Sequence, residues 1–215
     1  MKKFDTGLYF ITDSANYSEE EFLFRVERAL KGGVTLMQLR EKERTTREYV
    51  NLAEKVHAVA ERYGVPLIID DRVDVALASG AEGVHVGEDD MPVAAARKLM
   101  GDKIVGATAK TLERAKKAYE EGADYLGVGA IYPTTTKVKT VLTSTDTLQS
   151  IARAVPIPVN AIGGLNKDNI GILAGIPVAG ICVVSAIMKA DDPKEAAREL
   201  KKRVKELGLA FRYKA

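Results

Sequence analysis

Little in this 215-residue chain could build a disulfide framework, a soft metal cage or a membrane anchor. A single cysteine, Cys182, excludes any disulfide within the chain and predicts a reducing, cytoplasmic setting. It sits in the apolar run GICVVSAI, so it reads as a small buried hydrophobe rather than a nucleophile. Of the two histidines, His57 falls in a helix-period stretch and His85 stands alone within a strand-like run, as a packed residue rather than a metal ligand. No apolar run approaches the roughly 18 residues of a membrane span. The opening MKKFDTGLYFITD lacks the apolar core and small-residue cleavage site of a signal peptide. Net charge is also nearly absent: 32 basic against 30 acidic residues leave +2. Nucleic acid and membranes are therefore not expected partners, and any anion site must be local. No low-complexity stretch or linker divides the chain, and 46% hydrophobic residues suit one domain with one substantial core over residues 1–215.

What is present is an alternation. Strand-like runs fall at Leu8–Asp13, Thr35–Arg40, Pro66–Asp71, Gly83–Gly87, Lys103–Ala109, Tyr125–Ala130, Pro158–Gly163 and Gly180–Ala186. Between them, apolar residues recur at helical spacing. Phe22, Val26, Ala29 and Leu30 mark one such face, and Leu52, Val56, Val59 and Tyr63 another. Leu112, Ala115 and Ala118 follow, then Leu148, Ile151 and Ala152, and finally Ala196, Leu200, Val204 and Leu207. The strands are mostly continuous apolar runs, as expected of a parallel sheet buried on both faces. Eight strand–helix units fit an α/β protein built as a single (β/α)8 TIM barrel, short of the roughly 250 residues usual for that fold. An open doubly wound sheet is the alternative, disfavoured because no strand is followed by G-x-G-x-x-G.

A barrel places its active site at the C-terminal ends of its strands, so polar residues should gather there. They do. The most distinctive stretch is IYPTTTKVK after the sixth strand, where Thr134, Thr135, Thr136, Lys137 and Lys139 offer hydroxyls and ammonium groups suited to phosphate oxygens. An ordinary solvated loop would also use such residues. Gln38, Arg40 and Lys42 alternate at the end of the second strand and so share one side of the pleat, as a polyanion site requires. The competing reading makes Arg40–Arg44 a mixed surface charge run. Gly163–Gly164 and Val184–Ser185 sit where barrels often bind phosphate on backbone N–H groups, although the glycines also suit a tight turn into a helix near Asn166.

Asp70–Asp71 and Glu88–Asp89–Asp90 end the third and fourth strands. Asp71 could merely cap the next helix, and Asp90 could cap the one that Pro92 opens. Two carboxylates about 4 Å apart repel by about 4 kcal/mol at an effective dielectric near 20, so a cation between them is expected. Hard oxygen donors, few and open to solvent, favour Mg2+ completed by water and substrate phosphates. A pyrophosphate of about three negative charges plus Asp71 and Asp90 would be balanced by about five positive charges from Mg2+, Arg40, Lys42 and Lys137.

QLREK, the paired aspartates after strand three, GxHxGxxDMP, GADYLGVGxIYPTxTK, AIGG and VSAI stand in an order and spacing that resemble the thiamine phosphate synthase family, from Leu8 to about Pro193. The resemblance implies a (β/α)8 barrel that joins hydroxymethylpyrimidine diphosphate to thiazole phosphate and releases pyrophosphate through a pyrimidinyl-methyl cation. It implies that Gln38, Arg40, Lys42 and Lys137 hold the diphosphate, with Asp71 and Asp90 on Mg2+. Thr108 would contact the pyrimidine, and Asp70 would count among the substrate-binding residues as a negative charge beside the metal. Thr134, Thr136, Gly164, Val184 and Ser185 would lie around the thiazole phosphate. Arg40, Lys42, Lys137 and Thr108 would carry the catalysis. Partners would be these small molecules, with homo-oligomerisation left open.

Three positions depart from the family pattern: Asp70 stands where Asn is usual, Glu88 where Gln is common, and Thr108 where Ser is common. They bear on affinity more than on the reaction. A thiazole tautomerase of the same fold and a non-catalytic thiamine-phosphate-binding regulator are the alternatives; the full set Arg40, Lys42, Asp71, Asp90 and Lys137 argues against the first. Asn160, in an apolar strand, has no explanation at this level.

Overall fold

The computed structural model describes residues 4–134 and 141–211. Eight parallel strands close into a barrel in sequence order: β1 (Leu8–Ile11), β2 (Leu36–Leu39), β3 (Leu67–Asp70), β4 (Gly83–Val86), β5 (Ile104–Thr108), β6 (Tyr125–Gly129), β7 (Val159–Ile162) and β8 (Gly180–Val183). β8 closes on β1 with Tyr9 opposite Cys182. Helices α1 (Glu19–Lys31), α2 (Thr46–Glu61), α3 (Val73–Ala78), α4 (Val93–Met100), α5 (Leu112–Glu120) and α6 (Thr145–Ala154) follow the first six strands in turn. The short α7 (Ser185–Met188) and the long α8 (Pro193–Glu206) follow the last. Five of the helices, α1, α2, α5, α6 and α8, start on side-chain caps written in the sequence: Ser18, Thr45, Thr111, Ser144 and Asp192 each accept a backbone N–H of the first turn.

Period-2 alternation divides the apolar strand residues between two cores. Leu8, Phe10, Met37, Leu39, Leu67, Ile69, Val84 and Val105 belong to the large cluster between sheet and helices, and Tyr9, Ile11, Leu36, Ile68, Ile104, Tyr125 and Cys182 form a second cluster inside the barrel. The continuous apolar runs are thus buried on both faces. Tyr125 fills the barrel centre because Gly106 lies opposite: a Cβ there would fall 2.1 Å from the tyrosine Cζ. Asn160 is fully buried and donates from Nδ2 to the Thr6 carbonyl at 2.6 Å, tying β7 to the residues entering β1.

Several local expectations change. After β7 there is no α-helix near Asn166 but a 3-10 turn, Ile170–Leu173, because Asn166 and Asn169 hold the loop in side-chain-to-backbone bonds. Strand eight ends at Val183, so Ser185 opens a helix rather than extending the strand. Asp71 does not cap α3, whose N-cap is Arg72; Pro92, not Asp90, is the N-cap of α4. Leu112 is 38% exposed, and Ala197 rather than Ala196 lies in the core.

Gly106→Ala should destabilise the protein by about 2–3 kcal/mol, an overpacking cost with no flexible side-chain end to yield. For a chain of this size that lowers the melting temperature by about 5–10 °C. An unchanged melting temperature would refute the packing argument.

Candidate active site

The strand ends surround a cavity of about 350 Å3 at the C-terminal mouth of the barrel. Of the residues singled out from sequence, Gln38, Arg40, Lys42, Asp70, Asp71, Asp90, Thr108, Thr134, Gly164, Val184 and Ser185 all line it. Thr135, Thr136, Lys137 and Lys139 lie outside the described residues. A second, more open hollow of about 540 Å3 runs between Lys167 and α8; its walls are solvent-facing charges engaged with one another, as in Lys167–Glu199 at 3.7 Å. The barrel mouth carries the convergent chemistry.

The end of β2 sets the first wall. Gln38 points inward, and the chain continues through Arg40 and Lys42 on the same side. The charge run is split accordingly: Glu41 turns away, accepting from Ser14 Oγ at 2.8 Å and from Arg44 Nε at 3.0 Å. Arg40 Nε stands 3.7 Å and Lys42 Nζ 3.0 Å from Asp70 Oδ2. Lys42 also donates to Asp71.

The end of β3 delivers two consecutive carboxylates to one space, which an extended strand could not do. Asp70 faces the interior as pleating requires. Asp71 follows with φ of 61°, a left-handed conformation that aspartate tolerates better than most residues. Its N–H donates to the His85 carbonyl at 2.8 Å, fixing the kink against β4. The kink turns the Asp71 side chain back to the mouth, where it hydrogen-bonds Asp90. Asp90 is itself held by the Gly87 N–H, donated to Oδ2 at 2.8 Å.

This crowding shifts the titrations. Burial pushes Asp70 up to about 6, with the Asp71 charge adding to it and Lys42 opposing. Burial acts upward on Asp71 too, but the hydrogen bonds from Lys42 and Asp90 outweigh it and hold that carboxyl below its usual range. Asp90 is raised by burial and then by Asp71. Burial works against the charge on Lys42, yet Asp70 and Asp71 together keep its ammonium above the ordinary lysine range. Two carboxylates in contact, with Asp71 held below and Asp90 above the usual range, are the arrangement a divalent cation would relieve. Among the described residues no group of three or more His, Cys, Asp or Glu side chains forms a complete metal cage. The available donors are this pair, open to the cavity.

Sequence reasoning missed the floor of the site. His85 is indeed packed, but it also lines the cavity, with Nε2 3.0 Å from Thr108 Oγ1 and Nδ1 3.1 Å from the Tyr125 hydroxyl. Tyr125 and Tyr9 hydroxyls are 2.7 Å apart, and Tyr9 donates to Gln38 Oε1 at 2.7 Å. Two tyrosines at inward strand positions were the only available signal. Lys110 was also missed; it lines the cavity 3.5 Å from Glu88, which Arg114 approaches at 3.2 Å. Gly163 and Gly164 let the loops after β6 and β7 touch: a Cβ on Gly163 would meet that of Ala130 at 2.4 Å, and one on Gly164 the Pro133 carbonyl at 2.7 Å. Cys182 forms part of the apolar lining, and burial pushes its thiol pKa up, away from nucleophilic use.

Closed parallel barrel and charged mouth together define a class, a (β/α)8 enzyme with cations and carboxylates gathered around an anion-sized cavity. Comparison with known proteins gives the family. A model of the thiamine monophosphate synthase family matches residues 8–187. The thiamine-phosphate synthase of Enterococcus faecalis is 54% identical over 194 residues, covering 90% of this chain and 92% of that protein. Thiamine-phosphate synthase 2 of Streptococcus pneumoniae is 52% identical over 186 residues, covering 86% and 89%. The solved structure of thiamine phosphate pyrophosphorylase from Pyrococcus furiosus superposes with a TM-score of 0.87 at 40% identity, covering 94% of this chain and 96% of that one. The chain belongs to the thiamine monophosphate synthase family of transferases.

Because His85 is buried with its pKa lowered from 6.5 to about 4, the folded state resists its protonation. The unfolded chain binds that proton first as pH falls, so the neutral imidazole costs stability progressively between about 6.5 and 4. His85→Gln should be the less stable protein at pH 7. The gap should then narrow on acidification by up to about 3 kcal/mol, measured by denaturant titration at several pH values. A gap independent of pH would contradict the buried neutral histidine.

Proposed function

We propose that the protein joins 4-amino-2-methyl-5-hydroxymethylpyrimidine diphosphate to 4-methyl-5-(2-hydroxyethyl)thiazole phosphate, forming thiamine phosphate and releasing pyrophosphate. The observation that carries this reading is the meeting of Arg40, Lys42, Asp71 and Asp90, from three different strand ends, at one mouth.

In this reading the pyrimidine lies inward against Thr108, and its diphosphate reaches out to Arg40, Lys42 and Lys137. The bond from the exocyclic methylene carbon to the diphosphate oxygen breaks, and its electron pair leaves with the pyrophosphate. The pyrimidinyl-methyl cation that remains is attacked by the thiazole nitrogen lone pair, forming the new C–N bond. Thr134, Thr136, Gly164, Val184 and Ser185 would hold the thiazole phosphate on the opposite side of the cavity. Arg40 and Lys42 would act by fixed positive charge where negative charge develops, which requires neither a protein nucleophile nor a strong general base. Asp71 and Asp90 would hold Mg2+, a cation commonly bound by one or two carboxylates together with substrate phosphates; when bound it adds positive charge beside the leaving diphosphate. Gln38 contributes less directly than the resemblance implies. Its amide already meets Tyr9 and Asp70, leaving the second N–H of Nε2 as the one donor it can offer the cavity. The chain would work as a single catalytic domain in the cytoplasm, in keeping with its one free, buried thiol.

Incubation with both substrates, with and without Mg2+, tests the assignment. Thiamine phosphate should form only with the metal. Rearrangement of the thiazole alone, or tight binding of thiamine phosphate without turnover, would overturn it. Asp71→Ala should abolish most turnover, with partial recovery in excess Mg2+; unchanged activity would remove Asp71 from metal binding. Lys137→Ala should lower turnover about 10²–10³-fold, the scale of one preorganised electrostatic group. Normal turnover in that variant would take Lys137 out of the mechanism.

A further inference from the structure

A continuous line of hydrogen bonds crosses the barrel beneath the site, from Asp70 through Gln38, Tyr9, Tyr125 and His85 to Thr108. All but the last member are buried. Each link has two ends, and the chemistry of one terminus decides the direction of every bond between. The Asp70 carboxylate, already facing Lys42 and Arg40, is an acceptor, so the Gln38 amide must present its N–H to Asp70 and its carbonyl to Tyr9. Tyr9 therefore spends its one proton on Gln38 and accepts from Tyr125. Tyr125 in turn has no proton left for His85 and must accept from Nδ1–H. A neutral imidazole protonated on Nδ1 has a lone pair on Nε2, so the Thr108 hydroxyl donates its proton there. The cavity then meets only lone pairs on Thr108 Oγ1.

We propose that Asp70 is a specificity-determining residue acting at a distance: it orients this buried line so that Thr108 confronts the bound ring as an acceptor, selecting a ring that carries an N–H donor there. The inference rests on the pyrimidine lying against Thr108, and the exocyclic amine of an aminopyrimidine is the group that fits. Gln38, Tyr9, Tyr125 and His85 are positioning residues in this account. With Asn in place of Asp70 the constraint lapses. A carboxamide can donate to Gln38 Oε1, the Gln38 amide can rotate, and every bond along the line can reverse until Thr108 donates into the cavity. Burial favours the neutral imidazole that the argument requires.

The direction can be read without any turnover. Nitrogen-15 NMR of the imidazole at about pH 8, where carboxylates are ionised, should show His85 protonated on Nδ1 and bare on Nε2. The His85 signals are assigned by their loss in His85→Gln, with His57 the other histidine present. In Asp70→Asn the Nε2–H tautomer should appear, alone or in mixture. Should that variant fail to fold, Tyr9→Phe cuts the line at its second link and should also admit the Nε2–H tautomer. An Nε2–H tautomer in the unaltered protein overturns the proposal. So does a pure Nδ1–H tautomer retained in Asp70→Asn, or in Tyr9→Phe if that variant must stand in.

Binding supplies the second arm, using unreactive hydroxymethylpyrimidine monophosphates bearing either a 4-amino or a 4-methoxy group. The unaltered protein should prefer the amine by about tenfold or more, because an acceptor facing an acceptor is left unpaired. Asp70→Asn should reduce that preference to within about threefold, and an equal preference in both proteins overturns the role of Asp70. Failure of the synthase reading would show separately, as absent turnover with an intact Nδ1–H tautomer.

Discussion

The buried charge of Asp70 is the constraint around which the site is assembled. An ionised carboxylate away from water is tolerable only if paired and hydrogen-bonded. Here the partners come from β2 and from the loop that leaves it: Gln38, Arg40 and Lys42. Meeting that requirement draws two strand ends together and places both cations at the mouth, with Lys42 reaching on to Asp71. Asp71 in turn reaches Asp90 through its left-handed kink. Carboxylates and cations that would be mobile on a surface are thereby held before any ligand arrives, which is what makes electrostatic catalysis effective.

Beneath this charged rim the barrel is unusual in being threaded by polar groups rather than filled by aliphatic layers alone. Gly106 makes room for Tyr125, and the tyrosine pair meets edge-on, with centroids 5.6 Å apart. Their hydroxyls satisfy one another and pass the remaining hydrogen-bonding capacity to Gln38 on one side and His85 on the other. A fully satisfied buried line of this kind rigidifies its members, because breaking one link strands polar atoms at its ends. The floor of the cavity is therefore stiff where it supports Thr108.

Strand order, the two-faced burial of the sheet and the gathering of Gln38, Arg40, Lys42, Asp70, Asp71 and Asp90 were legible because period and strand ends are local properties of sequence. Caps were equally local, as Thr45 with Glu48 illustrates. What was not legible depended on contacts between distant segments. Nothing near Asn160 reveals that Thr6, far away in sequence, supplies its partner. The turn after β7 read as a helix because a Gly-Gly pair before a polar residue is a common helix entry, whereas Asn166 and Asn169 secure a loop instead. His85 could be read as packed but not as a link between Tyr125 and Thr108, since that role requires three strands to be in register.

The same geometry alters the electrostatic balance expected from sequence. Counting Asp70 adds one buried negative charge to those of Asp71 and Asp90, against Arg40 and Lys42 among the described cations at this rim. These carboxylates already occupy Lys42, so a diphosphate entering the mouth must share that ammonium rather than meet it unengaged. Two consequences follow from the sign of the sum. First, the excess of carboxylate over cation at the rim favours a divalent ion there more strongly than Asp71 and Asp90 alone would. Second, cations supplied from elsewhere matter more to an anionic leaving group, which gives weight to the role proposed for Lys137. Within the described cavity neither His85, neutral and pushed down to about 4, nor Cys182, with its pKa driven up by burial, is placed to supply proton transfer or nucleophilic attack. In the proposed reaction the site would stabilise the departure of an anion, and the cost of holding Asp70 within it is met by its contacts with Gln38, Arg40 and Lys42.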